Sequence, residues 1–221
     1  MIPASHKGWA HAIFRRYLRF LIKKRFHALH VLGDVPRVST DTPVLLLPNH
    51  STWWDGFFPY VLNDIVLKRE FFIMMLEHRL REFWFFRFVG AFSINQQSPK
   101  GIAQSLDYTA TLLQGNRLVV LFPQGELTAW GKRPLGYNRG VERVIRKCIE
   151  RGKQIAIIPL AIRCEFLADE KPHVFLQCGA PLYMDANATR STADELERLE
   201  TALLEELERH ITTGEVGEIL L

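Results

Sequence analysis

The run Asn49-His50-Ser51-Thr52-Trp53-Trp54-Asp55-Gly56 holds the residues of this chain best suited to proton transfer. A histidine and an aspartate can form a base and its orienter. The carboxylate bonds one imidazole N–H, fixes the tautomer and stabilises imidazolium, while the other nitrogen takes a proton. No serine or cysteine nucleophile is then needed, because the hydroxyl that gives up its proton is itself the nucleophile. A five-residue spacing does not share a helical face, which needs three or four. The pair therefore meets only if His50 lies in a loop and Asp55 in the first turns of the following helix, where Ser51 and Thr52 are available as caps. A second run, Phe122-Pro123-Gln124-Gly125-Glu126, follows an apolar stretch and ends in a Pro/Gly turn. Such a turn can aim backbone N–H groups at an anion or a developing oxyanion. Read alone, the first run is more simply a surface loop with a capping Asp, and the second a plain strand-to-loop turn.

Those positions presuppose a scaffold. Residues 44–47 form a buried-strand run closed by Pro48, and 71–75, 91–94, 118–122, 155–162 and 174–178 read alike. Helical stretches lie between them near 53–67, 77–89, 102–114 and 141–151. This alternation predicts an α/β fold, a single domain with a central mixed or parallel sheet flanked by helices. In such sheets sites form in the loops after strand C-ends. A Glu-rich helix over 192–211 reads as a solvated packing helix with no chemistry. The 221 residues suffice for one such domain, divided here into an N-terminal helical appendage over 1–33 and a main domain over 34–221.

Residues 9–29 read as one amphipathic helix. At about 100° per residue, Trp9, Ile13, Phe14, Tyr17, Leu18, Phe20 and Leu21 fall on one half of the wheel. Arg15, Arg16, Arg19 and Lys23 fall on the other, the pattern of a helix lying in a membrane interface. The same helix could instead pack on its own core with a solvated basic face. A second aromatic cluster, Phe83-Trp84-Phe85-Phe86 with Phe88, runs all round a helix, which is then either buried or greasy on an exposed side. The net charge of +4 suits an anionic partner. The aromatics lie opposite the arginines rather than interleaved with them, which argues against nucleic acid. No segment reaches the ~18 uncharged apolar residues of a spanning helix. Cys148, Cys164 and Cys178 are isolated, with no CxxC pair or other short ligand spacing, so they read as inert thiols and no metal is expected.

Four blocks together resemble the glycerolipid acyltransferases of the lysophosphatidic acid acyltransferase type. Asn49-His50 through Asp55 resembles the family's His-x4-Asp block, and Gly90-Ala91-Phe92-Ser93-Ile94-Asn95-Gln96 its second block. Phe122-Pro123-Gln124-Gly125-Glu126 resembles Phe-Pro-Glu-Gly-Thr-Arg, and Ile158-Pro159-Leu160 resembles Val-Pro-Ile. The resemblance covers residues 44–163. It implies transfer of a fatty acyl group from acyl-CoA or acyl carrier protein, a donor substrate rather than a cofactor, to a lipid hydroxyl. His50 and Asp55 would be catalytic, and Asn95, Gln96, Gln124, Gly125, Glu126 and Arg139 would contact substrate. The implied setting is the cytoplasmic face of a membrane, held peripherally.

The departures from that pattern bear on the acceptor. The family's second block usually ends in Arg where this chain has Gln96, and its third block carries Glu-Gly-Thr-Arg where this chain has Gln124-Gly125-Glu126-Leu127. The resemblance implies that those arginines hold the acceptor's phosphate. Gln or Leu there removes the bidentate fork, with charge-assisted bonds worth about 1.5–3 kcal/mol each. Arg139 aligns with a basic position that often follows the third block, and Lys132 and Arg133 are near it. The expectation is an acceptor other than a simple lysophosphatidate, such as a glycolipid, a glycosylated carotenoid or an amino-lipid. The alternatives are a 1-acylglycerol-3-phosphate acyltransferase and a non-catalytic membrane-binding relative.

Overall fold

The computed structural model describes residues 1–186 and 192–221. In chain order its elements are α1 (Gly8–Arg25), β1 (Leu29–Leu32), β2 (Val44–Pro48), α2 (Phe57–Leu62), β3 (Glu70–Leu76), α3 (Glu77–Glu82), β4 (Ala91–Ile94), α4 (Pro99–Leu112) and β5 (Arg117–Val120). They continue with α5 (Gly140–Glu150), β6 (Ile155–Glu165), β7 (His173–Cys178), β8 (Leu182–Met184), α6 (Ala193–Thr212) and β9 (Glu218–Ile219). The strands form one mixed sheet in the order β4-β3-β5-β2-β6-β7-β1-β9, with β8 paired to β6. β4, β3, β5, β2 and β6 run parallel, whereas β7 is antiparallel to β6.

The central strands bury both faces, which is why they read as unbroken apolar runs. Alternate residues feed two cores. Leu45, Leu47, Val119 and Ile157 join one cluster with α4, α5 and α6. Val44, Leu46, Val120 and Ile158 join the other with α1 and α2. Because β2, β3, β4 and β5 are parallel and in register, the loops leaving β2, β4 and β5 emerge at one end of the sheet.

The predicted strands are present, and three short ones, β1, β8 and β9, were not foreseen. The N-terminal helix stops at Arg25 rather than 29, because Leu29 to Leu32 pair with β7 and bury fully. The stretch 53–67 is not one helix. It is a 3-10 turn at Trp53–Gly56, then α2, then a π turn at Asn63–Leu67 that Lys68 ends in a left-handed conformation. The stretch 77–89 likewise breaks at Phe83 into α3 and a 3-10 helix, Trp84–Val89.

Two apolar stripes share α1. Ala10, Phe14, Leu18 and Ile22 face the core, while Trp9, Ile13, Tyr17 and Phe20 are each more than half exposed. Its basic side is not simply solvated, since Arg15 and Arg19 both pair with Asp64, at 2.6 and 3.0 Å.

Candidate active site

Asn49 leaves β2 and fastens it to β6. Its buried amide donates to Ile162 O at 3.0 Å and accepts from Ile162 N–H at 2.7 Å. His50 follows in a loop, and Asp55 sits in the 3-10 turn behind it, fully buried. Thr52 caps that turn by accepting from Trp54 N–H, and Asp55 reaches back to the cap as the third residue of a capping box. The Asp55 Oδ2 atom accepts from Ser51 N–H at 2.5 Å and Thr52 N–H at 2.7 Å, and it lies 3.1 Å from His50 Nδ1. Oδ1 accepts from the Thr52 hydroxyl at 2.6 Å. The carboxylate is therefore fixed before it meets the ring. His50 Nδ1 carries the proton toward Asp55, and Nε2 makes no hydrogen bond among the described residues.

The β5 loop holds the other side of His50. Its ring stacks on Phe122 with centroids 4.1 Å apart. Its N–H donates to Gln124 Oε1 at 2.6 Å, and its carbonyl accepts from Thr128 N–H at 2.9 Å. Gln124 and Thr128 are both buried and bond each other at 2.5 Å. Gln124 thus spends both ends of its amide within the chain, on the His50 backbone and on Thr128. Gln96, from the β4 loop, donates to Gly125 O at 2.7 Å, and Asn138 donates to Gln124 O at 2.8 Å. Gly125 has φ +74°, and a Cβ there would lie 2.9 Å from Asn138 Nδ2 and 3.2 Å from Gln96 Nε2, so both conformation and space require glycine.

The expected oxyanion donor at Gly125 is not free, because its N–H closes a turn on Phe122 O at 3.1 Å. Asn95 Oδ1 accepts from Gln97 N–H. Glu126 is exposed and lies 4.0 Å from Lys132. Arg139 is exposed at the start of α5 and forms no ion pair among the described residues. The structure thus gathers His50, Asp55, Gln96, Gln124 and Gly125 into one hydrogen-bonded unit and leaves Asn95, Glu126 and Arg139 at its margin.

Glu200 carries no signal in the sequence beyond a Glu-rich helix, yet it is fully buried on α6 beneath this loop. Burial pushes its carboxyl up to about 8, and the backbone N–H groups of Asn49 and Leu160 offset part of that rise. Those two N–H groups approach the carboxyl without reaching hydrogen-bonding geometry, so neither oxygen closes a bond among the described residues. The three cysteines are free, and burial pushes each thiol up to about 12, which makes them poor nucleophiles.

The sequence pattern of a family described as acyltransferase matches residues 12–163. A 1-acyl-sn-glycerol-3-phosphate acyltransferase of Streptococcus pneumoniae (strain ATCC BAA-255 / R6) is 29% identical over 124 residues. That match covers 51% of this chain and 44% of that protein, so the chain spans less than half the relative's length. The crystal structure of the 1-acyl-sn-glycerophosphate (LPA) acyltransferase PlsC from Thermotoga maritima superposes with a TM-score of 0.56 at 15% identity. It covers 90% of this chain and 77% of that one, a likeness of fold.

Proposed function

The chain belongs to the acyltransferase family, and from that premise we propose that it transfers a fatty acyl group from an acyl-CoA or acyl carrier protein thioester to a lipid hydroxyl at a membrane surface. The observation that carries the chemistry is the His50–Asp55 pair, with Nδ1 committed to the carboxylate and Nε2 open. The Nε2 atom takes the acceptor's hydroxyl proton as that oxygen attacks the thioester carbonyl. The tetrahedral intermediate then collapses, the C–S bond breaks, and the leaving thiolate takes the proton back from imidazolium. No covalent enzyme intermediate is required.

The membrane reading rests on one aromatic face. Trp9 and Trp84 both contact Phe88, Phe85 contacts Phe86, and Phe86 joins Phe14 and Phe57, on which exposed Trp53 also packs. Exposed large rings from α1, from the Trp84–Val89 helix and from the turn carrying Asp55 thus adjoin. Such a patch marks an interaction surface, and exposed Arg16, Lys23 and Lys24 on the same helix suit anionic headgroups. No helix among the described residues is long and apolar enough to cross a membrane, and the aromatic face supports the reading of a peripheral contact.

For the acceptor, a neutral hydroxyl such as a glycolipid or glycosylated carotenoid fits best. Gln96 stands where the family pattern has arginine, and it spends its amide on Gly125 O. A cavity of about 520 Å³ beside Thr52 is lined by Trp54, Trp130 and Arg163. Arg163 is not free for a phosphate, since Glu165 and Glu208 hold it at 3.1 and 3.3 Å and it lies over the Trp130 ring. Unpaired, exposed Arg139 favours the second reading, the 1-acylglycerol-3-phosphate acyltransferase activity that the Streptococcus relative's name states. Labelled acyl-CoA and acyl carrier protein supplied with vesicles of lysophosphatidic acid or neutral glycolipid distinguish the two. Faster labelling of the neutral acceptor, reversed toward lysophosphatidic acid by Gln96→Arg, is the expected outcome. Equal or faster labelling of lysophosphatidic acid by the unaltered protein overturns the neutral acceptor. No transfer from either donor to any acceptor, with vesicle binding intact, favours a non-catalytic membrane-binding relative.

A further inference from the structure

The sequence scatters its histidines, but the fold stacks three of them at the joint between α1 and the sheet. His27 follows the end of α1, His30 lies in β1 and His173 opens β7. The His27 and His173 rings stack at 4.5 Å, and His30 and His173 at 5.2 Å. Asp169, in the turn between β6 and β7, joins them. Its Oδ2 lies 2.9 Å from His173 Nε2, and its Oδ1 lies 3.3 Å from His27 Nδ1. The three donor atoms are within 4.8 Å of one another. A tetrahedral zinc ion with bonds of about 2.0–2.1 Å holds its ligands roughly 3.4 Å apart, so Asp169 needs only a small shift, whereas the exposed His27 ring must turn out of its stack on His173 before both in-plane lone pairs meet one ion.

Two further observations point to a built site. His173 is buried, and its other ring nitrogen, Nδ1, lies 2.9 Å from Nε2 of buried His30. An outer partner of that kind orients a ligand histidine and can take its Nδ1 proton; the Nε2 proton that the 2.9 Å contact with Asp169 Oδ2 requires is the one a cation would displace. The backbones are also pinned, by His27 N–H to Pro172 O and by Val174 N–H to Ala28 O, both at 2.9 Å. The backbones that carry His27 and His173 are thus held by pairing at the sheet edge, while Asp169 is presented by the β6–β7 turn.

We propose that His27, Asp169 and His173 bind a divalent transition-metal cation of the zinc class, with His30 as the positioning residue and a fourth position open to water. Two imidazoles and one carboxylate suit zinc, cobalt or nickel, whereas magnesium and calcium prefer all-oxygen shells. The ion staples the end of α1 to the β6–β7 turn, and so fixes the outward-facing aromatic helix relative to the catalytic sheet.

The test uses full-length protein stripped with chelator and titrated with Co²⁺ and Zn²⁺. The expected result is one equivalent bound per chain, with a Co²⁺ spectrum lacking the thiolate charge-transfer band that cysteine ligation would give. His27→Ala and Asp169→Asn, both at exposed positions, each weaken binding at least ~10-fold, since even outer-shell losses cost 10–100-fold. Zinc also slows tryptic cleavage after Lys23, Lys24 and Arg25 in the unaltered protein but not in His27→Ala. Absence of binding, a thiolate spectrum, or affinity unchanged in both variants overturns the proposal.

Discussion

Asn49, His50, Thr52 and Asp55 tie their side chains to partners within the chain, whereas Trp9, Ile13, Tyr17 and Phe20 along the outer face of α1 hold out large apolar surfaces to solvent. The loop sets one imidazole with seven hydrogen bonds, four to the Asp55 carboxylate and three to the His50 backbone. The outer helix face has ring contacts at one end, Trp9 on Phe88, and no comparable network among the described residues. Fixed geometry is what general base catalysis needs, because a base acts only within hydrogen-bond reach of the proton. Unsatisfied apolar area is what a surface needs to gain free energy from an outside partner. One region is complete within the chain and the other is complete only against something else.

The comparison breaks first at His50. His50→Ala should lower the rate of acyl transfer by ~10²–10⁴-fold, the usual worth of a positioned base. Asp55→Asn should cost nearly as much, and the double variant no more than His50→Ala alone, because the two act as a unit. Rates from a thioester-release assay decide it. If Asp55→Asn retains full activity, Asp55 serves only as a cap, and the loop's bonding is structural rather than catalytic.

The outer face of α1 should respond in the opposite way. Replacing Trp9, Tyr17 and Phe20 together by Ala removes side chains whose burial is worth about 1.5–3 kcal/mol each. Vesicle co-sedimentation should therefore fall at least ~10²-fold, while thermal stability and turnover of a detergent-dispersed acceptor change little. A large loss of stability with vesicle binding retained would make the stripe part of the core.

How far each region was legible follows from the same physics. The buried strands and the loop position of His50 could be read because apolar runs and the five-residue spacing constrain them locally. The breaks at Gly56 and Phe83 could not, since they arise where the 3-10 turn of Asp55 and the packing of Phe86 override helix periodicity. Wheel angles placed the α1 aromatics on one half, yet only tertiary contact separates Phe14 and Leu18, which bury, from Trp9 and Tyr17, which do not. The partners of Arg15 and Arg19, and the role of Gln124 on the His50 backbone 74 residues away, are long-range facts that no local pattern carries.

Glu200 sharpens the comparison from beneath, because the fully bonded loop rests on a carboxyl that has no completed bond of its own. Its folded value near 8 lies above the ordinary 4.5, so the folded state binds the proton more tightly than the unfolded chain does. The stability this contributes is fully present below about pH 4.5 and is lost as pH rises toward 8. Glu200→Gln keeps the shape and removes the titration. Its stability relative to the unaltered protein should therefore rise by about 3–4 kcal/mol between pH 5 and pH 8, measured by urea denaturation at each pH. A constant difference across that range would mean that Glu200 is solvated or paired in solution. The packing beneath Asn49 would then be as fully satisfied as the loop above it.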